Sequence, residues 1–245
     1  MPRFFIEVAY KGTAYAGFQA QQNANTIQDE VEKALQVYFR QEFSLTGSSR
    51  TDAGVHALQN FFHFDFDTDP QLDWVKACYH LNAILPGDIV VQRIFPVADD
   101  AHCRFDAKFR LYEYSIYQSK NPFLSDRAYY YPYKLDLGLM NEAASMLKTV
   151  EDFESFSKRN TQVKTFRCSI IESGWFERGD MIVYRVAANR FLRGMVRGLS
   201  GTMLKVGRQK TSIDEFSRII ESKNAALVDF AVPAQGLTLI QVSFV

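Results

Sequence analysis

The sequence contains few cysteines and no apolar run long enough to cross a membrane. Its three cysteines, Cys78, Cys103 and Cys168, are odd in number and far apart, without a Cys-x-x-Cys spacing. They predict reduced thiols of a cytoplasmic protein rather than a disulfide framework or a zinc site. Apolar runs such as residues 181–184 are far shorter than a membrane-spanning helix, and the N-terminus is typical of a first strand rather than a signal peptide.

An excess of charge of either sign is also missing. The 245 residues include 28 Lys plus Arg and 28 Asp plus Glu, so the net charge does not indicate a polyanionic partner. The distribution of charge along the chain does indicate such a partner, because residues 155–171 and 181–213 contain basic but no acidic side chains. A local basic surface is typical of phosphate binding, and the alternative is a basic surface offset by acidic neighbours in space. The basic residues are Lys158, Arg159, Lys164, Arg167, Arg185, Arg190, Arg193, Arg197, Lys205, Arg208 and Lys210.

One short segment concentrates groups that can do chemistry. Residues 47–56 read Gly-Ser-Ser-Arg-Thr-Asp-Ala-Gly-Val-His and lie between two predicted strands. Gly47 and Gly54 allow a sharp bend, and Arg50 and Asp52 are two residues apart, which puts them on one side of an extended chain. Asp52 would suit a nucleophile or general base, while Arg50 could keep it ionised or grip a phosphate. The alternative is a surface loop with a solvated ion pair.

Four motifs, in order along almost the whole chain, resemble those of the tRNA pseudouridine synthase A family. Residues 50–56 resemble its catalytic signature, and residues 12–21 resemble its N-terminal motif, with Phe18 where many members have Trp. Residues 111–114, after Arg110, and residues 189–197 resemble its second and third active-site motifs. Four ordered motifs are far more specific than any one of them.

The resemblance implies an isomerase that converts uridine to pseudouridine in the anticodon stem-loop of tRNA, at positions 38–40. Asp52 is then the catalytic aspartate, and Arg197 pairs with its carboxylate. Tyr112 would stack on the target uracil, although Tyr114 lies on the same face and only the motif favours Tyr112. The residues predicted to bind substrate are Arg50, Tyr112, Arg190 and Arg193. No metal, cofactor or nucleotide is needed, and the four histidines show no metal-binding spacing.

Two other functions are compatible with the residues. One is a non-catalytic RNA-binding protein that holds tRNA through its basic surface. The other, weaker, is a nucleotide hydrolase, which would need a second carboxylate or a metal cluster. The residue types also leave open whether Asp52 attacks the ribose, attacks the uracil ring or removes a ribose proton.

The periodicities predict an α+β fold with mostly antiparallel sheets. Both halves have the order β-α-β-β-α-β, which predicts two ferredoxin-like domains, 1–105 and 106–245, flanking a central catalytic cleft. A helix predicted over residues 191–206 would put Arg190, Arg193 and Arg197 close to one face. In the same segment, Gly194, Gly198 and Gly201 would permit close helix packing.

A homodimer is the expected assembly. One pair of small domains offers too short a surface to hold both the elbow and the anticodon arm of a tRNA. Two-fold symmetry would extend the basic surface, and aromatic residues such as Tyr129, Tyr130 and Tyr131 would suit the interface.

Overall fold

The computed structural model describes residues 1–67, 72–159 and 163–245. The chain divides into two compact units, Met1–Lys108 together with Leu239–Val245, and Phe109–Thr238. No helix in the described part of the chain is long and apolar enough to span a membrane.

The first unit is built on antiparallel strands with two helices. Its strands are β1 (Arg3–Tyr10), β2 (Thr46–Gly47), β3 (His56–Asp65) and β4 (Ile89–Val97), and its helices are α1 (Ile27–Phe39) and α2 (Trp74–Ile84). β1 lies between β3 and β4, and β2 pairs with β3. The chain order β-α-β-β-α-β agrees with the order predicted for this half. Apolar residues on both faces of β1 are buried, which places the core along this strand.

Capping side chains fix the first residues of α1 and α2. Thr26 caps α1, since its Oγ1 accepts a hydrogen bond from the Asp29 amide at 3.2 Å. Asp73 caps α2, since its Oδ1 accepts from the amides of Val75 and Lys76 at 2.9 and 3.1 Å. The apolar residues of α2 and the following Pro86-Gly87 predict a helix over residues 72–85, but the capping aspartate fixes the start two residues later, at Trp74.

The second unit repeats the mixture of antiparallel strands and helices. Its strands are β5 (Phe109–Tyr117), β6 (Tyr129–Tyr130), β7 (Ile170–Arg178) and β8 (Met181–Ala188), and its helices are α3 (Leu137–Met146), α4 (Met195–Gly207) and α5 (Ile213–Glu221). β8 lies between β5 and β7 and is antiparallel to both, while the short β6 runs parallel to β5. The predicted α+β class with mostly antiparallel strands is confirmed.

The last strand, β9 (Leu237–Ser243), ends inside the first unit. The Val242 amide donates to the Gln59 side chain at 3.0 Å, and the Ser243 carbonyl accepts from the Lys108 amide at 2.7 Å. The Phe244 ring also packs 5.3 Å from that of Phe5. The predicted domains 1–105 and 106–245 stay a prediction, because a compact unit is not by itself a domain that folds alone.

The start of α4 differs from the prediction. Gly194 has φ +74°, a left-handed conformation that residues with a Cβ rarely adopt, and the helix begins only at Met195. The Lys158 amide donates to the Arg193 carbonyl at 3.0 Å, which ties the preceding segment to another loop. Of the three arginines predicted to share a helix face, only Arg197 is in the helix; Arg190 and Arg193 precede it.

Two glycines let the segment 228–232 pack directly on α4. A Cβ on Gly198 would lie 2.7 Å from the Phe230 ring, and a Cβ on Gly201 would lie 2.2 Å from the Asp229 carbonyl oxygen. The prediction of close helix packing is confirmed for these two positions. The approach matters for the site, because the same segment accepts the hydrogen bonds of Arg197.

We expect Gly201→Ala to destabilise the protein by about 1–3 kcal/mol, because its Cβ would push the backbone of residue 229 away from α4. Gly87→Ala is the matched control, since a Cβ there would meet no atom within 4 Å. Urea denaturation monitored by circular dichroism measures both changes. Equal free energies of unfolding for the two variants would contradict this account of the packing.

Candidate active site

The segment with Arg50 and Asp52 is a loop, residues 48–55, between β2 and β3. The side chain of Asn60 on β3 holds its beginning: Asn60 Nδ2 donates to the Ser49 carbonyl at 2.8 Å, and its Oδ1 accepts from the Ser49 amide at 3.2 Å. Asn60 is fully buried. A buried amide that lost these partners would carry a desolvation cost of about 1–3 kcal/mol, so the pairing fixes the loop strongly.

The residue before Asp52 is held from two directions. The Thr51 hydroxyl shares a hydrogen bond of 2.8 Å with the Tyr10 hydroxyl at the end of β1. The Thr51 carbonyl accepts from the Phe18 amide at 3.1 Å. Phe18 belongs to the N-terminal motif, so that motif supports the loop directly. Thr51 is buried, and its position determines where the next side chain points.

The two glycines of the loop have different roles. Gly54 has φ +80°, as expected for a sharp bend, and the Val55 amide closes the turn by donating to the Asp52 carbonyl at 3.2 Å. Gly47 lies in β2 and has no such backbone angle. A Cβ there would lie 2.3 Å from the Phe18 ring, so Gly47 makes room for an aromatic neighbour rather than for a bend.

Asp52 is half-buried, and among the described residues of the first unit its carboxylate accepts no hydrogen bond and forms no ion pair. Arg50 is exposed and does not pair with it, so the ion pair considered from the sequence does not form in this unit. A partly buried carboxylate without a partner keeps its lone pairs available to a ligand. Chemically, it can act as a nucleophile or as a base.

Two buried hydroxyls accompany this carboxylate. Ser48 Oγ and Ser49 Oγ have no hydrogen-bond partner among the described residues. His56, by contrast, is structural: it is buried, and its Nδ1 accepts from the Gly12 amide at 3.0 Å. The histidine that follows the loop therefore serves the fold, whereas the hydroxyls of Ser48 and Ser49 are left without partners among the described residues.

Tyr10 and Asn60, which hold the loop, are not among the residues predicted from the sequence. Asn60 Nδ2 also donates to the Tyr10 hydroxyl at 3.1 Å, so the two side chains form one network. The detectable signal is Asn60 itself, a polar residue directly before the aromatic pair Phe61 and Phe62 in a strand. A buried amide there requires internal partners.

Tyr112 lies on β5, opposite Val186 on β8, and packs edge-on against Phe191 with ring centroids 5.1 Å apart. Both Tyr112 and Tyr114 are buried. The Tyr114 hydroxyl donates to the Pro233 carbonyl at 2.9 Å, and burial raises the pKa of its phenol far above the usual range. Tyr114 is thus committed to the core of the second unit.

Arg197 lies in the first turn of α4. Its Nε and Nη2 donate to the Val232 carbonyl at 2.9 and 2.7 Å, and Nη2 reaches the Phe230 carbonyl at 3.4 Å. Its Nη1 has no partner among the described residues of the second unit. The guanidinium is therefore held rigidly by the backbone, with one nitrogen left to bind an anion.

The basic surface predicted from residues 155–171 and 181–213 is partly neutralised; residues 160–162 lie outside the described residues. Arg185 pairs with Glu172 at 3.1 Å, Lys205 pairs with Asp229 at 3.1 Å and Arg167 pairs with Glu151 at 3.5 Å. Arg190 and Arg193 form no ion pair among the described residues of this unit. The alternative of a basic surface offset by acidic neighbours thus holds for Arg167, Arg185 and Lys205, while phosphate binding by the remaining basic residues stays a prediction.

One cluster could hold a metal ion. The ligand atoms of His63, His102 and Cys103 lie within 4.8 Å of one another, in the part of the chain that the structure describes. His63 Nδ1 lies 3.2 Å from Cys103 Sγ, which donates to the Thr46 carbonyl at 3.1 Å. Burial lowers the pKa of His63 to about 4, so its imidazole is neutral at pH 7. These hydrogen bonds account for the cluster as it stands, and spacing along the sequence could not reveal it.

The predicted site residues therefore form two groups. Arg50 and Asp52 lie on one loop of the first unit. In the second unit, Arg197 and Tyr114 both bind the segment 230–233, while Tyr112 packs on Phe191. The sequence motifs thus coincide with backbone segments that are held by defined hydrogen bonds.

Known proteins match this chain over nearly its whole length. The family described as tRNA pseudouridine synthase matches residues 6–106 and 143–245. The chain is 43% identical to a tRNA pseudouridine synthase A of Parabacteroides distasonis over 244 residues, covering 100% of this chain and 96% of the relative. It is 43% identical to that of Porphyromonas gingivalis, covering 100% and 98%. It is 38% identical to that of Staphylococcus aureus, covering 97% and 89%.

These matches confirm the family and the enzyme class that the four motifs predict. The family match extends over the loop with Asp52 and over α4, whereas residues 107–142, which include β5, are covered only by the matches to the relatives. The chain belongs to the tRNA pseudouridine synthase family, a family of isomerases.

Proposed function

We propose that this protein isomerises uridine to pseudouridine in the anticodon stem-loop of tRNA, at positions 38–40, with Asp52 as the catalytic carboxylate. The observation that carries the proposal is the Asp52 carboxylate itself, which is half-buried, unpartnered within its unit and placed on a loop held by Asn60 and Tyr10. The names of the relatives support tRNA as the substrate.

The reaction rearranges bonds without any net oxidation or hydrolysis. The N1–C1′ glycosidic bond breaks, the uracil rotates, and its C5 bonds to C1′; the C5 proton is lost and N1 regains one. A carboxylate can promote this by attacking the ribose carbon, by attacking the ring or by removing a ribose proton. The carboxylate of Asp52 is compatible with each of these roles, because neither of its oxygens accepts a hydrogen bond from the described residues of the first unit.

The target base must leave its stack before a carboxylate can reach the sugar. Extrusion of a base costs a few kcal/mol, and a side chain that fills the vacated space offsets part of this cost. Arg50 is exposed, unpaired within its unit and two residues from Asp52. Its planar guanidinium can stack on the neighbouring bases, so we assign it this role.

Residues of the second unit complete the proposed set. We propose that Tyr112 contacts the uracil and that Arg197 binds an anion through Nη1. We further propose that Arg190 and Arg193 bind RNA phosphates. The fixed guanidinium of Arg197 and the absence of ion pairs at Arg190 and Arg193 among the described residues of this unit support these assignments. The cysteines form no disulfide, which supports a reducing, cytoplasmic compartment for the reaction.

Asp52→Asn keeps the shape of the side chain and removes its negative charge. We expect no detectable pseudouridine, while tRNA binding stays within a few-fold, because phosphate contacts dominate RNA affinity. Mass spectrometry of tRNA incubated with the purified protein measures the product. Asp73→Asn is the control, because asparagine caps a helix as well as aspartate does. Turnover by Asp52→Asn would refute the assignment, and an inactive wild-type protein that binds tRNA would favour the non-catalytic RNA-binding function.

Arg50→Ala should lower the single-turnover rate by about tenfold or more and weaken binding only a few-fold, since the side chain acts when the base leaves its stack. Arg50→Lys keeps the charge but loses the planar group, and we expect it to stay slow. Lys76→Ala removes an exposed cation on α2 and is the control. An unchanged single-turnover rate for Arg50→Ala would make Arg50 a mere surface residue.

We propose a homodimer that recognises the shape and backbone of whole tRNA, because an enzyme accepting adjacent uridines does not read a fixed sequence. We expect a dimer mass in light scattering and much faster modification of whole tRNA than of an isolated anticodon stem-loop. Of the tyrosines expected at the interface, Tyr130 is exposed but Tyr131 is buried, and the exposed rings of Phe123 and Tyr133 would also suit an interface. A fully active monomer, or equal rates on the two substrates, would contradict this proposal.

A further inference from the structure

A rigid turn in the first unit exposes an aromatic ring beside a cation. The Phe105 side chain is 75% exposed, and the Arg104 guanidinium lies 6.0 Å from the centre of its ring. The turn is closed by internal hydrogen bonds: the His102 amide donates to Asp106 Oδ2 at 2.6 Å, and the Asp106 amide donates to the His102 carbonyl at 3.0 Å. An exposed aromatic ring beside a guanidinium is a surface on which a nucleic-acid base can stack.

The turn is fixed to the strand that leads into the catalytic loop. Cys103 is fully buried, and its Sγ donates to the Thr46 carbonyl in β2 at 3.1 Å. The His102 ring packs 4.2 Å from that of Phe105 and 4.6 Å from that of His63. Phe105 is therefore pre-organised, and ligand binding would not need to order it.

Between this turn and the catalytic loop lies a pocket of about 340 Å³. Its walls include Arg50, His102, Arg104 and Phe105, and Gly47 lies in its lining together with the ring of Phe18. None of the described residues that line it is acidic. Two guanidinium groups, an exposed aromatic ring and amide side chains are the groups with which proteins bind single-stranded nucleic acid.

We propose that this pocket binds an unpaired nucleotide next to the target uridine, with its base stacked on Phe105 and its phosphate bound by Arg104. The inference rests on the proposed function, because Arg50 has a part in both. The Arg50 side chain is assigned to the space that the target base leaves, and it also lines the pocket. The RNA chain next to the target uridine therefore passes the pocket. Binding of the neighbouring nucleotide there keeps it unstacked from the target uridine while Asp52 acts on the sugar.

Two variants test the stacking and the phosphate contact separately. Phe105→Ala should weaken the binding of tRNA by about tenfold, in line with the loss of one stacked base. Arg104→Gln should lower the slope of log Kd against log salt by about 0.7, the value for one phosphate contact on a single strand. The controls are Tyr79→Ala, whose ring is 73% exposed, and Lys76→Gln, both on α2. Thermal melting checks that each variant is folded.

A crosslinking experiment identifies the ligand directly. A tRNA carrying 5-iodouridine beside the target position is irradiated with the protein, and the attached peptide is mapped by mass spectrometry. We expect a crosslink at Phe105 that is absent in Phe105→Ala. Crosslinks confined to other peptides, or folded Phe105→Ala and Arg104→Gln variants that bind like the controls at every salt concentration, would overturn the inference. The proposed function fails separately, if the wild-type protein forms no pseudouridine at all.

Discussion

The network of Asn60 and Tyr10 is the constraint on which the candidate site depends. Asn60 is a polar side chain in the middle of a buried strand. Its Nδ2 donates to the Ser49 carbonyl and the Tyr10 hydroxyl, and its Oδ1 accepts from the amides of Ser49 and Phe61. Because an unpaired buried amide is costly, the loop cannot move away without a free-energy penalty of about 1–3 kcal/mol. The stability of the sheet is thereby coupled to the position of the loop 48–55.

This coupling explains how the half-buried Asp52 carboxylate can remain without a partner among the described residues of its unit. Burial of an unpaired polar group disfavours the folded state, and a mobile loop would relieve that cost by turning Asp52 into water. The bonds of Thr51 to Tyr10 and Phe18 prevent such a movement. The hydrogen-bonding capacity of Asp52 is therefore reserved for a ligand, as expected at a site that is pre-organised for its reaction.

In the second unit, hydrogen bonds to the backbone likewise fix the position of a charged side chain, the guanidinium of Arg197. The segment 228–232 packs so closely on α4 that Gly201 has no space for a Cβ, and this proximity brings the Val232 carbonyl within reach of Arg197. The guanidinium of Arg197 is thus held by backbone carbonyls rather than by an acidic side chain. Because Arg185 and Lys205 are neutralised by acidic neighbours, the positive charge without an ion-pair partner among the described residues of this unit lies on fewer side chains, including Arg190 and Arg193.

Elements whose signals lie in neighbouring residues can be predicted from the sequence. Thr26 caps α1, Gly179 turns the β7–β8 hairpin at φ +57°, and the motif around Asp52 marks the loop 48–55. Contacts between residues far apart in the chain set the other features, which are the end of β9 in the first unit, the start of α4 after Gly194, and the contact of His63 with Cys103. The physical reason is that caps and turns involve neighbours in the chain, whereas burial and ion pairing depend on which surfaces the folded chain brings together.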